Sequence, residues 1–165
     1  SDFYNVKQRG ESVQSYGQYY STSLQNASAI NTSTNFTFPT LNLSNGVVIV
    51  SNNMLTFSAS GTYMIELSLR AEHTGGGGGG SDALVSVWMQ KANINVIGSR
   101  QVYQIAGGHT EIIKYSMLVN VSASSDDIKF FWTTSNINLQ FSSSAVSAPY
   151  PMEPSVLVSA YKVGY

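Results

Sequence analysis

The sequence predicts an all-β protein, a sandwich or barrel of about ten strands, and three observations carry the prediction. The first lies in the segment Gly46 to His73, GVVIVSNNMLTFSASGTYMIELSLRAEH, where side chains alternate strictly after Gly61. Tyr63, Ile65, Leu67, Leu69 and Ala71 fall on one face, and Met64, Glu66, Ser68 and Arg70 on the other. A pleated strand sends successive side chains to opposite faces, so this period of two marks a half-buried strand. Second, short apolar runs recur about every 8–12 residues with Gly, Asn, Ser and Pro between them, the spacing of sandwiches and barrels. Third, no apolar period of 3.6 residues lasts long enough for a helix, and no fixed-length repeat suggests a propeller or solenoid.

Taken in order, residues 1–14 are polar, have no clean period and read as an N-terminal arm carrying Phe3, Tyr4 and Val13. The domain is expected over 15–165. YGQYYSTS (Tyr16–Ser23) is the first strand, followed by a Ser/Asn/Ala-rich link. NFTFPTLNL (Asn35–Leu43), VVIV (Val47–Val50), MLTFSA (Met54–Ala59) and TYMIELSLRAEH (Thr62–His73) come next, with Gly61 at a tight turn that favours positive φ. After the Gly75–Gly80 run come ALVSVWMQKA (Ala83–Ala92), INVIGSRQVYQI (Ile94–Ile105) and TEIIKYSMLVNV (Thr110–Val121). DIKFFWTTS (Asp127–Ser135), NLQFSSSAV (Asn138–Val146) and SVLVSAYKV (Ser155–Val163) close the chain, with Pro154 opening the last strand where a missing N–H costs little.

Several strands are apolar on both faces. Thr110–Val121 places Ile113, Tyr115, Met117 and Val119 on one side and Ile112 and Leu118 on the other; Asp127–Ser135 sets Ile128, Phe130 and Trp132 against Phe131. A monomeric sandwich keeps one face of each sheet wet and polar. Apolar residues on both faces predict that another copy of the chain covers the outer one. Trp88, with Leu84 and Ser86 on the face opposite Val85, Val87 and Met89, fits either a core or a subunit contact.

Composition narrows the partners. The 165 residues include 10% charged side chains, against about a quarter in an average soluble protein, and the formal net charge is −1. The eight Lys and Arg residues are scattered, which argues against a nucleic-acid or anionic-membrane surface. No apolar run reaches the ~20 residues of a membrane-spanning helix, and SDFYNVKQRG lacks the apolar centre of a signal peptide. Without cysteine there is neither a disulfide frame nor a thiolate metal site.

The succession GVVIVSNNMLTFSASGTYMIELSLRAEH, VSVWMQKANINVIGS and EPSVLVSAYKV resembles the C1q/TNF-like jelly roll. It is most similar to the version found in virion structural proteins of bacteriophage, especially cyanophage and other marine phage. The matching elements are Ser15–Tyr19, Phe36–Phe38, Gly46–Thr56, Ala59–Ile65, Val87–Val96 and Pro154–Val158, so the resemblance spans roughly residues 15 to 163. One departure is Asp126, which stands where the family's Gly-Asp turn has glycine; Asp127 matches the turn aspartate. The resemblance implies a homotrimer that works by binding or by occupying a place in an assembly. Expected core or trimer-interface residues are Tyr63, Ile65, Leu67, Trp88, Tyr115, Met117, Phe130, Phe131 and Trp132.

Candidate chemistry is sparse. The run Gly75, Gly76, Gly77, Gly78, Gly79, Gly80 has no Lys-Ser/Thr after it and no helix to open, so it reads as a flexible exposed loop and not a phosphate cradle. His73 and His109 flank different loops and would need Glu72, Asp82 or Glu111 to make a metal site. Asp126 and Asp127 supply two carboxylates where Ca²⁺ takes ~6–8 oxygens, so an ordinary Asp turn is the better reading. No nucleophile-elbow motif and no cysteine nucleophile is present, and no cofactor is implied. Five Asn-x-Ser/Thr matches, at Asn26, Asn31, Asn35, Asn42 and Asn120, follow from the composition and would carry glycans only in a secretory pathway.

The expectation is a non-enzymatic virion protein, made in the host cytoplasm: a trimeric capsid decoration (cement) protein held to the shell, through the major capsid protein or other virion proteins, by its N-terminal arm and lower edge. The absence of a collagen-like or heptad stalk before the domain favours this over the alternative, a receptor-binding knob of a head or tail fibre that touches a host surface glycan. A secreted C1q-like lectin or cytokine is a further rival, and an enzyme comes last.

Overall fold

The computed structural model describes residues 14–75 and 81–164. Its elements in chain order are β1 (Tyr16–Ser21), β2 (Gln25–Asn26), β3 (Thr34–Asn35), β4 (Thr40–Asn45), β5 (Val47–Val50), β6 (Met54–Phe57) and β7 (Gly61–His73). They continue with β8 (Ala83–Lys91), β9 (Ile94–Asn95), β10 (Gln101–Ile105), β11 (Thr110–Val121), β12 (Asp127–Thr134), β13 (Leu139–Phe141) and β14 (Val156–Gly164). All pairings are antiparallel.

Two sheets face each other. In the first, β7 is the hub: β11 pairs along one edge, and β14 and β13 share the other, with β1 and β4 beyond β14 and β2 beyond β13. The second runs β10-β8-β12-β6-β5, with β3 added to β12 and β9 to β8. The inward stripe of β7, Tyr63 to Ala71, is fully shielded from solvent, as are Val85, Val87 and Met89 of β8 and Ile128, Phe130 and Trp132 of β12. This is the alternation that the sequence shows, realised on both inner faces. Phe36, Trp132 and Phe141 form an aromatic cluster at one end of the core, with ring centroids 4.9–5.8 Å apart. Edge and offset contacts of this kind add to burial.

Two predicted strands break up, each for a local reason. NFTFPTLNL is not one strand. After β3 the chain leaves the ladder, yet Phe36 and Phe38 stay buried, and their N–H groups donate to Phe130 and Asn52 carbonyls at 3.0 and 2.8 Å. Pro39 lacks an N–H, and the chain re-enters pairing as β4 with a different partner, β1. INVIGSRQVYQI also splits, into β9 and β10, around Gly98 at φ +79°. Ala92 and Asn93, at φ 49° and 63°, form the positive-φ turn that joins β8 to β9. The arm residues Phe3, Tyr4 and Val13, and the loop residues Gly76 to Gly80, lie outside the described residues.

Gly61 has φ +147°, and a Cβ there would stand 2.5 Å from the Gly164 carbonyl oxygen. The turn before β7 therefore needs glycine twice over, for its backbone angle and for its approach to β14. At the β11–β12 turn Asp126 replaces backbone freedom with a side-chain bond: its carboxylate accepts the Ser122 N–H at 2.9 Å and lies 3.6 Å from Lys91 Nζ. Asp126 is not among the positive-φ residues, so the turn closes without glycine.

Candidate functional site

The outward face of the first sheet is built by register. Leu118 lies opposite Met64, Met64 opposite Tyr161, and Tyr161 opposite Tyr16, which makes one continuous row across β11, β7, β14 and β1. Four residues along each strand, Lys114, Ser68, Leu157 and Tyr20 form a second row. Between them runs a polar row of Ser116, Glu66, Ser159 and Gln18, ending on Leu43 of β4. Leu118 is 56% exposed, and Leu41 and Leu43 about half exposed. Hydrogen bonds to hydroxyls brace the polar groups: Gln18 Nε2 donates to Ser159 Oγ at 2.8 Å and Lys114 Nζ to Ser68 Oγ at 2.9 Å. Glu66 stands exposed near the middle of this face. Such a surface is apolar along the Leu118–Tyr16 margin, mixed along the other, and carries Glu66 and Lys114 as its charges in these rows, around a shallow hollow of about 380 Å³.

The nine sequence-predicted residues divide between core and surface. Tyr63, Ile65, Leu67, Tyr115, Phe130 and Trp132 lie in the inter-sheet core, and Met117 packs half-buried against it. Trp88 and Phe131 stand together on the outward face of the second sheet, neighbours across β8 and β12. Their rings stack with centroids 5.9 Å apart and planes 19° off parallel. The outer-face row that begins at Leu118 was only partly legible: Tyr16 and Tyr161 sit more than 140 residues apart and meet through strand pairing alone.

Polar chemistry in the core is limited and specific. Tyr115 donates its hydroxyl to the Ser99 carbonyl at 2.7 Å, and burial pushes its phenol up to about 12. Tyr103, also raised by burial, places its hydroxyl between the Lys114 carbonyl and Gln101 Oε1 at 2.9 and 2.7 Å. These two tyrosines tie the loop and strand of the second sheet to β11 of the first. Glu72 is held below the usual carboxylate range by hydrogen bonds from Ser142 and Gln140, with Arg70 nearby. His73 is buried and neither ring nitrogen has a partner. Its backbone bonds to His109, yet among the described residues no three His, Asp or Glu side chains gather as metal ligands.

No protein-family model matches the sequence, and no curated protein does. Solved structures do match. The chain superposes on murine APRIL at pH 5.0 with a TM-score of 0.57 and 10% identity, over 91% of this chain and 99% of that one. The same protein at pH 8.5 gives 0.56 at 10% identity, with the same coverage. The chain is thus an all-β antiparallel sandwich with the TNF/C1q jelly-roll fold of APRIL.

Proposed function

We propose that the protein is a homotrimeric, non-enzymatic virion protein of phage type, a capsid decoration protein whose three copies seal the outward faces of their β11-β7-β14-β1-β4 sheets against one another. The observation that carries the trimer is the Leu118–Met64–Tyr161–Tyr16 row, apolar across four adjacent strands. A contiguous apolar surface of this kind marks an interaction site more often than a free face. The low charge fraction supports the same reading, because few like charges need to be neutralised when copies meet. The viral setting is supported by the order and spacing of the sequence motifs.

The trimer reading is tested by Met64→Glu. A buried Met contributes about 1.5–3 kcal/mol, lost once in each of three copies, and the new carboxylate adds a desolvation cost. The variant is expected to sediment as folded single chains; a variant that stays associated would refute the face assignment. The setting is tested by electron microscopy of particles labelled against this chain. Label on the shell supports decoration, and label on a fibre selects the receptor-binding alternative. Deleting residues 1–14 is expected to abolish shell attachment and leave trimers, and full shell binding by the truncated protein would refute the arm's role.

A further inference from the structure

Trp88 lies beside a hollow of about 330 Å³ on the outward face of the second sheet, bordered by Ser86, Asn95, Gly98, Arg100 and Thr133. Its walls are fixed from below. The Ser99 hydroxyl accepts the Met89 N–H at 3.1 Å and donates back to the Met89 carbonyl, while its own carbonyl takes the Tyr115 hydroxyl. Val96 N–H bonds the Met89 carbonyl at 3.0 Å. The loop between β9 and β10 is therefore pinned to β8 and β11, and Arg100 leaves it in a set direction. A site held by a rigid frame loses little order on binding.

Two donor groups beside this hollow have hydrogens to spare, on Arg100 and Asn95. Arg100 gives Nε and Nη2 to a single acceptor, Ser86 Oγ, at 3.2 and 3.0 Å. Among the described residues this leaves the two Nη1 hydrogens and one Nη2 hydrogen of the five guanidinium N–H groups without a partner, and no carboxylate lies in salt-bridge range of the charge. Asn95, itself exposed, spends its Oδ1 on two donors, Trp88 Nε1 at 3.0 Å and Gln90 Nε2 at 2.9 Å, and its amide N–H₂ has no partner among the described residues. The Trp88 Nε1 bond to Asn95 and the Phe131 stack fix the indole at the edge of the hollow. Nearby Lys129 adds a second cation on this sheet, while Asp126 is engaged with Lys91 and Asp82 with Gln104. Ile97, 98% exposed, lies in the chain between the lining residues Val96 and Gly98.

We propose that this hollow binds a single sugar ring bearing a carboxylate, with the ring against Trp88 and the carboxylate on Arg100 and the Asn95 amide. A forked guanidinium is the geometry that matches a carboxylate, and a half-buried indole offers an apolar face to a pyranose. The volume is near the low end of ligand pockets, about 300–1,000 Å³, which suits one ring and not an oligosaccharide. The site lies on the sheet opposite the proposed trimer face, so it serves the protein equally on a shell or on a fibre.

The test uses the full chain and its two indole N–H resonances, Trp88 at the site and Trp132 in the core as internal control. Methyl β-glucuronide and methyl α-N-acetylneuraminate represent the two sources of a carboxylated ring; methyl β-glucoside and acetate are the matched controls. Either acidic sugar is expected to move the Trp88 signal and leave Trp132 in place, and the tighter of the two names the source. Arg100→Gln, a surface change that should leave the spectrum otherwise intact, is expected to weaken that binding at least tenfold. An equal response to the glucoside or to acetate, a response that survives Arg100→Gln, or no response to either acidic sugar would overturn the proposal.

Discussion

Replacing Gly61 and Gly98 by alanine separates two causes of glycine dependence. Both have positive φ, +147° and +79°, so both alanines would be strained. At Gly98 a Cβ meets no atom within 4 Å, and the cost is the left-handed backbone alone, about 1–2 kcal/mol. At Gly61 the Cβ would stand 2.5 Å from the Gly164 carbonyl oxygen and 2.5 Å from Lys162 Cε. The lysine tip can swing aside, but the carbonyl belongs to β14, which must shift. Backbone strain of about 1–3 kcal/mol is therefore joined by about 1–3 kcal/mol for displacing a packed strand. For a chain of this length each kcal/mol lowers Tm by about 2–4 °C. Thermal unfolding by far-UV circular dichroism, at one fixed protomer concentration because association would couple to folding, should rank the wild type above Gly98→Ala and that variant well above Gly61→Ala. Equal losses in the two variants would refute the steric argument, and a larger loss at Gly98 would refute the turn assignment as well.

Three further outcomes are expected. The hydrogen bonds that lower the Glu72 pKa stabilise the fold fully above the unfolded value of 4.5, and that contribution disappears as pH falls through the depressed folded value. Glu72→Gln should therefore flatten the acid limb of a stability–pH profile and leave its slope near neutrality unchanged. Tyr115 has a raised pKa of about 12, so its stabilising effect is complete below pH 10 and is lost as pH rises toward 12; Tyr115→Phe should remove that part of the alkaline loss. The same variant leaves the Ser99 carbonyl unpartnered, a cost of about 1–3 kcal/mol at neutral pH in denaturant titration. Ala92→Asn, placing a residue that tolerates φ of 49° in the β8–β9 turn, should raise stability by about 0.5–1 kcal/mol in the same titration.

Strand periodicity made the long elements legible. β7, β11 and β12 have the faces that simple alternation assigns, because each carries enough apolar residues on one side to outvote local noise. The short elements were not. Phe36 and Phe38 alternate like a strand, yet their ladder is broken because burial of the two rings does not require pairing. The β9–β10 break is signalled by Gly98, but what fixes it is Ser99 bonding to Met89, a contact between residues ten apart in the chain that periodicity does not register. The outer-face row is assembled across strands distant in sequence, whereas the Trp88 hollow is built mostly within residues 86–100, with Thr133 added from β12. Trp88 stood out by type; Arg100 and Asn95 carried no signal until register and loop geometry placed them beside it.

The mass of the protein in solution is the sharpest check on the account. Sedimentation equilibrium at micromolar concentration is expected to return three times the 17.8 kDa chain mass, because the Leu118–Met64–Tyr161–Tyr16 surface has no other cover among the described residues. A single species of 17.8 kDa would mean that this face meets water, and the trimeric assembly would fall with it.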